Sequence, residues 1–191
     1  MLNQSFVLVG ILINAVGTAY YFKDTVIGKI KPNKVSFFIW SIAPLIVFAA
    51  QLSQGVGIQS LLALSVGLLP LSIFIASFLN KKAYWKLGFF DLSCGFLAII
   101  GLLLWQITKV GNIAIFFSIF AEGLATLPTI VKSFKYPETE SAWPWLASFT
   151  AGTLTVLTIK EWNFASYGFP LFYSAEMLII FILVQLKIGK N

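Results

Sequence analysis

The chain has 191 residues, of which 59% are hydrophobic and only 10% are charged, and its mean hydropathy is +0.90. Because soluble domains average about 25% charged residues, this composition predicts a membrane protein and excludes an ordinary water-soluble domain. The formal net charge is +6, but every basic residue is a lysine in a short link between apolar segments, which argues against nucleic acid as a partner.

The residue types needed for most enzymatic and metal chemistry are scarce. The chain has no histidine, and its single cysteine, Cys94, lies inside an apolar run. A metal centre therefore lacks ligands, an internal disulfide is excluded, and no nucleophile has an evident base. We predict that the chain is not an enzyme and binds neither a metal nor an organic cofactor.

Seven apolar runs follow one another along the chain, each close to the length that crosses a bilayer as a helix. In chain order they cover residues 5–22, 35–52, 58–79, 87–107, 113–134, 142–159 and 168–188. Only short polar links separate them, as expected where the bilayer tolerates no exposed irregular backbone. The sequence predicts an all-α membrane protein with seven transmembrane helices and no soluble domain.

The lysines are distributed unevenly over the links. Eleven of the thirteen lie in the first, third and fifth links and in the carboxyl-terminal tail, and only Lys109 and Lys160 lie in the other links. Cytoplasmic loops carry the excess of positive charge. We therefore predict a multi-pass protein with its amino terminus outside and its carboxyl terminus in the cytoplasm, which agrees with an odd number of spans.

A short pattern occurs twice, 105 residues apart: Pro32, Ser36 and Trp40 recur as Pro137, Ser141 and Trp145. At a spacing of 108, the pair Asn14 and Thr18 recurs as Glu122 and Thr126. Internal repeats in a membrane chain point to two related units and to transport. We predict three-helix repeats at 1–80 and 111–191, joined by a linker helix within 81–110 that leaves both units pointing the same way.

The segment 127–132 with 137–145, and more weakly the segment 20–40, resemble the SWEET and PQ-loop transporter superfamily, as a divergent bacterial member. The resemblance implies two parallel three-helix bundles around one linker helix, a 3+1+3 arrangement. The family has a Pro-Gln pair in the first helix of each unit. Here the second unit has Pro128-Thr129 and the first has Tyr20-Tyr21, so a symmetric proline hinge is not expected.

Four polar residues form a candidate site for substrate binding or proton coupling. Glu122 and Glu176 fall near the middle of predicted helices five and seven, where a charge costs on the order of 2.5–3.5 kcal/mol. A carboxyl group exposed alternately to each side can also carry a proton. Asn14 matches Glu122 in the repeat, and Tyr173 lies one turn before Glu176 on the same face. The alternative is that these groups only hydrogen-bond neighbouring helices together.

Prolines inside predicted helices are candidate hinges, because proline removes a backbone hydrogen bond and kinks a helix. Pro44 and Pro128 are the stronger candidates and Pro70 is weaker, although prolines are also common in membrane helices. Pro144 and Pro170 fall near predicted helix starts, where proline costs little.

Trp40 and Trp145 occupy equivalent places in the repeat, about one turn into predicted helices two and six. They are candidate gate residues at the cytoplasmic mouth of a pathway. The alternative is anchoring at the membrane interface, where tryptophan is enriched.

Taken together, these features favour a membrane transporter that moves a small polar solute by alternating access, with protons as a candidate coupling ion. The alternative on the same fold is a receptor, or a membrane assembly or sorting protein, without transport. The expected partners are the solute and the lipid bilayer, and the oligomeric state is left open. Lysine without arginine, with abundant isoleucine and phenylalanine, indicates an AT-rich bacterial genome and hence a bacterial inner membrane.

Overall fold

A computed structural model describes residues 1–79, 85–108 and 110–189, without the side chains of 101, 102 and 104–108. All regular structure in these residues is helical. The seven α-helices are α1 Phe6–Val26, α2 Lys34–Ser53, α3 Ser60–Ala76, α4 Phe89–Thr108, α5 Gly111–Lys135, α6 Ala142–Leu157 and α7 Phe164–Leu186. A 3-10 helix, Pro137–Thr139, links α5 to α6. The prediction of an all-α chain with seven helices is confirmed for this part of the chain.

The observed helix ends differ from the predicted ones where side-chain caps and turns decide them. α1 continues one turn past the predicted end, because its hydrogen bonds persist until Gly28, whose φ of 78° turns the chain. α7 begins at Phe164, four residues early, because the Asn163 side chain accepts a hydrogen bond from the Ser166 N–H. Pro170 therefore lies two turns inside α7, and its predicted place near a helix start is wrong.

Within the residues that the structure describes, four helices, α1, α2, α5 and α7, are long and apolar enough to cross a membrane, and α3 is apolar but shorter. The outward faces are apolar; exposed examples are Leu12, Leu68, Phe96 and Leu171. The interior, in contrast, holds many polar side chains, among them Asn14, Ser36, Gln51, Glu122 and Thr155. Apolar groups outside and hydrogen-bonding groups inside are the distribution expected of a helical bundle surrounded by lipid.

The helices pack in a pattern that repeats between the two halves of the chain. α3 packs against both α1 and α2, and α7 packs against both α5 and α6. Across the halves, α1 packs against α6 and α2 against α5, while α4 lies along α5. The α1–α6 contact is close because Gly17 faces Ala147, and a Cβ built on Gly17 would lie 2.6 Å from the Ala147 Cβ.

The end of the bundle where α1 finishes and α2 begins is here called the lysine-rich end. α4 also starts there, since the Asn33 amide donates to the Asp91 carboxylate at 2.6 Å and the Gly88 N–H donates to the same carboxylate at 2.6 Å. Asp91 thus lies in the first turn of α4, where a carboxylate stabilises the start of a helix. Four lysines used in the orientation argument, Lys81, Lys82, Lys109 and Lys190, lie outside the described residues, as does the predicted unit boundary at 80–81.

Candidate functional site

The bundle encloses a central cavity between α1, α2, α3, α5, α6 and α7. The space between its atoms is about 470 Å³ when the solvent at its opening is included, but the centre of a water molecule can move through only about 40 Å³. That space holds a few water molecules at most. The cavity is therefore narrow in this conformation, and any larger solute requires the walls to move apart.

One wall of the cavity is a hydrogen-bonded group drawn from three helices. The Ser148 hydroxyl of α6 donates to the Asn14 side-chain oxygen of α1 at 2.9 Å. The Asn14 amide donates in turn to the Tyr173 hydroxyl of α7 at 3.5 Å. The structure thus brings together Asn14 and Tyr173, two of the predicted site residues, and adds Ser148, which sequence reasoning missed. These groups offer both donors and acceptors to a polar ligand.

Glu122 on α5 lines the same cavity and is only 1% exposed. Within the described part of the chain, neither of its carboxylate oxygens has a hydrogen-bond partner. The nearer of the two lysines on the same helix, Lys132, is ten residues further on, roughly 15 Å along the axis. A buried carboxyl group without a partner is costly. The contacts of the described residues therefore do not compensate for the burial of Glu122.

Glu176 on α7 does not share this cavity. It lies at the base of a wide apolar groove between α5 and α7, next to Thr126. The Thr126 hydroxyl is 2.8 Å from a Glu176 carboxylate oxygen and 2.9 Å from the Glu122 backbone carbonyl. Its single proton can serve only one of these acceptors at a time. The two predicted acids therefore lie on different sides of the α5–α7 contact, and Thr126 links the Glu176 carboxylate to the backbone of Glu122 but not to its carboxyl group.

Four aromatic rings, here called the aromatic quartet, close the cavity toward the lysine-rich end. The neighbouring ring centroids are 5.3 Å apart for Tyr21 and Phe37, 5.1 Å for Phe37 and Trp40, 5.9 Å for Trp40 and Trp145, and 5.6 Å for Trp145 and Tyr21. Both tryptophans are buried, which argues against anchoring at the membrane interface. The Trp40 indole N–H donates to the Thr126 hydroxyl at 3.1 Å, whereas the Trp145 indole N–H has no partner among the described residues.

A buried ion pair lies directly beyond the quartet. The Lys132 ammonium group donates to the Glu140 carboxylate and to the Lys31 carbonyl oxygen, and it lies 5.2 Å from the centre of the Trp85 ring. The Tyr21 hydroxyl donates to the same carboxylate at 2.9 Å. Tyr21 therefore belongs both to the quartet and to this second group, here called the lysine–glutamate latch, which consists of Tyr21, Lys132 and Glu140.

Sequence reasoning missed the latch because it treated Lys132 as a link lysine. The structure corrects that assignment: α5 continues to Lys135, and the Lys132 side chain is fully buried. The sequence did contain one indication of the pair, since Glu140 carries the opposite charge eight residues after Lys132. It is weak, because surface pairs with similar spacing are common and contribute little.

The two stronger hinge candidates, Pro44 and Pro128, do not line the cavity. Pro128 lies inside α5, and the Ser36 hydroxyl of α2 donates at 2.6 Å to the Ala125 carbonyl in the preceding turn. Thr129 in turn donates to the Ser36 hydroxyl at 3.0 Å. A side chain of α2 thus donates a hydrogen bond to the backbone of α5 close to Pro128. Pro44 is buried inside α2, while Pro70 and Pro144, weaker candidates from sequence, do line the cavity.

Comparisons with protein-family models, curated proteins and solved structures give no match to this chain. Among the described residues, no three His, Cys, Asp or Glu side chains lie close enough together to hold a metal ion. Five of the eight predicted site residues, Asn14, Trp40, Glu122, Trp145 and Tyr173, line the central cavity. Their side chains can hold a small polar molecule through hydrogen bonds, ring contacts and one carboxyl group.

Proposed function

We propose that the chain is a transporter that moves a small polar solute across a membrane by alternating access. The observation that carries the proposal is the narrow central cavity, which combines a hydrogen-bonded wall with the unpartnered Glu122 carboxyl group. Transporters bind their solutes near the middle of the membrane between two structural units. A bundle that needed only stability would instead fill this space with apolar side chains.

We propose further that the two units are α1–α3 and α5–α7, with α4 as the linker. The support is the repeated packing, in which the third helix of each half lies against the other two. The reciprocal contacts α1–α6 and α2–α5, and the facing Trp40 and Trp145, are what two parallel repeats related by an axis along the membrane normal require. Their relative movement would open one end of the cavity and close the other.

In this proposal the lysine-rich end faces the cytoplasm of a bacterial cell, following the excess of lysine there. The aromatic quartet and the lysine–glutamate latch form the closed cytoplasmic gate. Opening it separates Trp40 from Trp145 and breaks the hydrogen bond from Tyr21 to Glu140. Because the two layers share Tyr21, we expect them to open together.

Proton coupling is a second part of the proposal. The Thr126 hydroxyl contacts the Glu176 carboxylate, the Glu122 backbone carbonyl and the Trp40 indole N–H, so a change of proton on Glu176 alters a hydrogen bond beside the cavity. We expect Glu122→Gln or Glu176→Gln to abolish uptake driven by a pH gradient while exchange continues. The measurement is uptake by proteoliposomes with and without the gradient, and unchanged gradient-driven uptake in both variants would remove proton coupling from the mechanism.

The test of transport itself is counterflow in proteoliposomes with labelled sugars, amino acids and vitamins. We expect at least one solute to accumulate, and Asn14→Leu to reduce its accumulation because the polar wall loses its central member. Glu161→Gln, an exposed acid at the other end of the bundle, is the matched control and should transport normally. Saturable binding of a panel member without movement would favour the receptor alternative instead.

A further inference from the structure

We infer that the solute bound in the central cavity is a small organic ammonium ion that also carries an oxygen acceptor. This inference rests on the proposed function and specifies its substrate class. Two unpartnered groups of opposite kind in the same cavity carry it: the Glu122 carboxylate, an acceptor, and the Trp145 indole N–H, a donor. A bound ligand would supply the missing partner of each group.

The charge of the ligand follows from what surrounds Glu122. No described basic side chain is among the residues that line the cavity. The nearby Lys132 is already engaged by Glu140 and by the Lys31 carbonyl, beyond the aromatic quartet. A second acid, Glu176, lies on the other side of Thr126, whose hydroxyl contacts the Glu176 carboxylate and the Glu122 backbone carbonyl. The site therefore contains acids without a counter-charge, so a cationic ligand is favoured and an anionic one is repelled.

The lining of the cavity indicates an organic cation in preference to a metal ion. Hard metal ions such as Ca²⁺ and Mg²⁺ need about six or more oxygen ligands. This cavity offers only one carboxyl group, one amide and a few hydroxyl groups. It offers instead the rings of Trp40, Trp145 and Tyr173. Aromatic faces attract ammonium groups, and this is the common way in which proteins recognise quaternary ammonium ligands.

The oxygen acceptor follows from Trp145. Its equivalent in the repeat, Trp40, donates its indole N–H to Thr126. The Trp145 N–H is buried and has no such partner in the described residues. Since a buried donor left unpaired costs free energy, a ligand hydroxyl or carbonyl oxygen is the natural partner. The Asn14, Ser148 and Tyr173 wall supplies further hydrogen bonds to the same polar end of the ligand.

Choline and 3,3-dimethyl-1-butanol are the probes that isolate the charge, because they have the same shape and differ only in nitrogen or carbon at the centre of the head group. Binding is measured as the rise in the unfolding temperature of the purified protein in detergent, since a ligand of the folded state stabilises it. We expect choline to raise that temperature and the neutral isostere to leave it unchanged. Equal stabilisation by both compounds would overturn the inference.

Two variants test whether Glu122 and Trp145 are the groups that bind choline. Glu122→Gln should weaken choline binding roughly tenfold to a hundredfold, because the neutral amide removes the charge that attracts the quaternary ammonium group, while the control Glu161→Gln binds normally. Trp145→Phe should reduce the preference for choline over ethyltrimethylammonium, which has no hydroxyl. Unchanged choline binding by Glu122→Gln contradicts the inference. If that variant does not fold, the comparison of choline with its isostere in the wild-type protein still decides.

A wider panel separates this inference from the proposed function. It contains ammonium, ethanolammonium, tetramethylammonium and lysine, each tested for binding and for counterflow. If a neutral solute is transported and no ammonium ion binds, the substrate class is wrong and the transporter proposal survives. If ammonium ions bind in a manner that depends on Glu122 but do not cross the membrane, the substrate class holds and the transporter proposal fails.

Discussion

Removing one partner of the lysine–glutamate latch should destabilise the closed bundle strongly. In Lys132→Met the Glu140 carboxylate keeps the hydrogen bond from Tyr21 but loses its counter-charge, and the Lys31 carbonyl loses its donor. The reverse change, Glu140→Leu, leaves a buried ammonium group with one carbonyl. In both variants a charge that is almost inaccessible to solvent is left without its partner.

The size of the effect follows from burial. The side chains of Lys132 and Glu140 are 0% and 1% exposed, so water does not screen or replace their interaction as it does at a surface. Breaking a buried pair on one side typically costs about 3–5 kcal/mol. Replacing both members by apolar residues of similar volume is often neutral or stabilising. The double variant Lys132→Met with Glu140→Leu should therefore recover most of the free energy that either single variant loses.

The assay is reversible unfolding in mixed micelles of a mild detergent and sodium dodecyl sulfate, followed by circular dichroism. The wild-type protein, the two single variants and the double variant form a double-mutant cycle. Its interaction free energy separates the contribution of the Lys132–Glu140 pair from the cost of each substitution alone. Lys29→Met removes the ammonium group of the exposed Lys29–Asp24 pair and is the matched control, for which we expect less than about 1 kcal/mol. Single variants as stable as this control would refute the reasoning.

Two further predictions concern contacts between the halves of the chain. Ser36→Ala removes the hydroxyl that donates to the Ala125 carbonyl and accepts from Thr129, and it should cost about 1–3 kcal/mol of unfolding free energy. Ser65→Ala, whose hydroxyl donates within its own helix, is the control, and equal losses would contradict the assignment. Gly17→Ala places a Cβ 2.6 Å from that of Ala147 and should cost about 1–3 kcal/mol by overpacking. Gly57→Ala should not, since its Cβ would meet only the Gln59 side-chain oxygen, at an ordinary contact distance of 3.8 Å. Equal thermal stability of the two alanine variants would argue against close α1–α6 packing.

Hydropathy predicted the helices well because the length of an apolar run is a local property of the chain. The ends were less accurate, since a single side-chain hydrogen bond, such as that of Asn163, adds a turn that hydropathy does not register. The internal repeat predicted that Trp40 and Trp145 are equivalent, and they do face each other in the interior. The assignment of the repeats as moving units remains a prediction.

The two buried acids mark both the strength and the limit of reasoning from sequence. The cost of a carboxyl group in an apolar span was enough to select Glu122 and Glu176. Which way each one points depends on the rotation of α5 and α7 about their axes, and the sequence does not specify it. Only the packed structure assigns Glu122 to the central cavity and Glu176 to the groove between α5 and α7.

The sequence by itself determined that the chain is helical and apolar, where its helices lie, and which polar residues are unusual within them. These properties follow from composition and periodicity over short distances. The tertiary structure alone decided that Lys132 is buried with Glu140 and Tyr21, and that Ser148 joins Asn14 and Tyr173 in one wall. The physical reason is that burial and pairing arise between segments distant in the chain, where no local pattern records which side chains will meet.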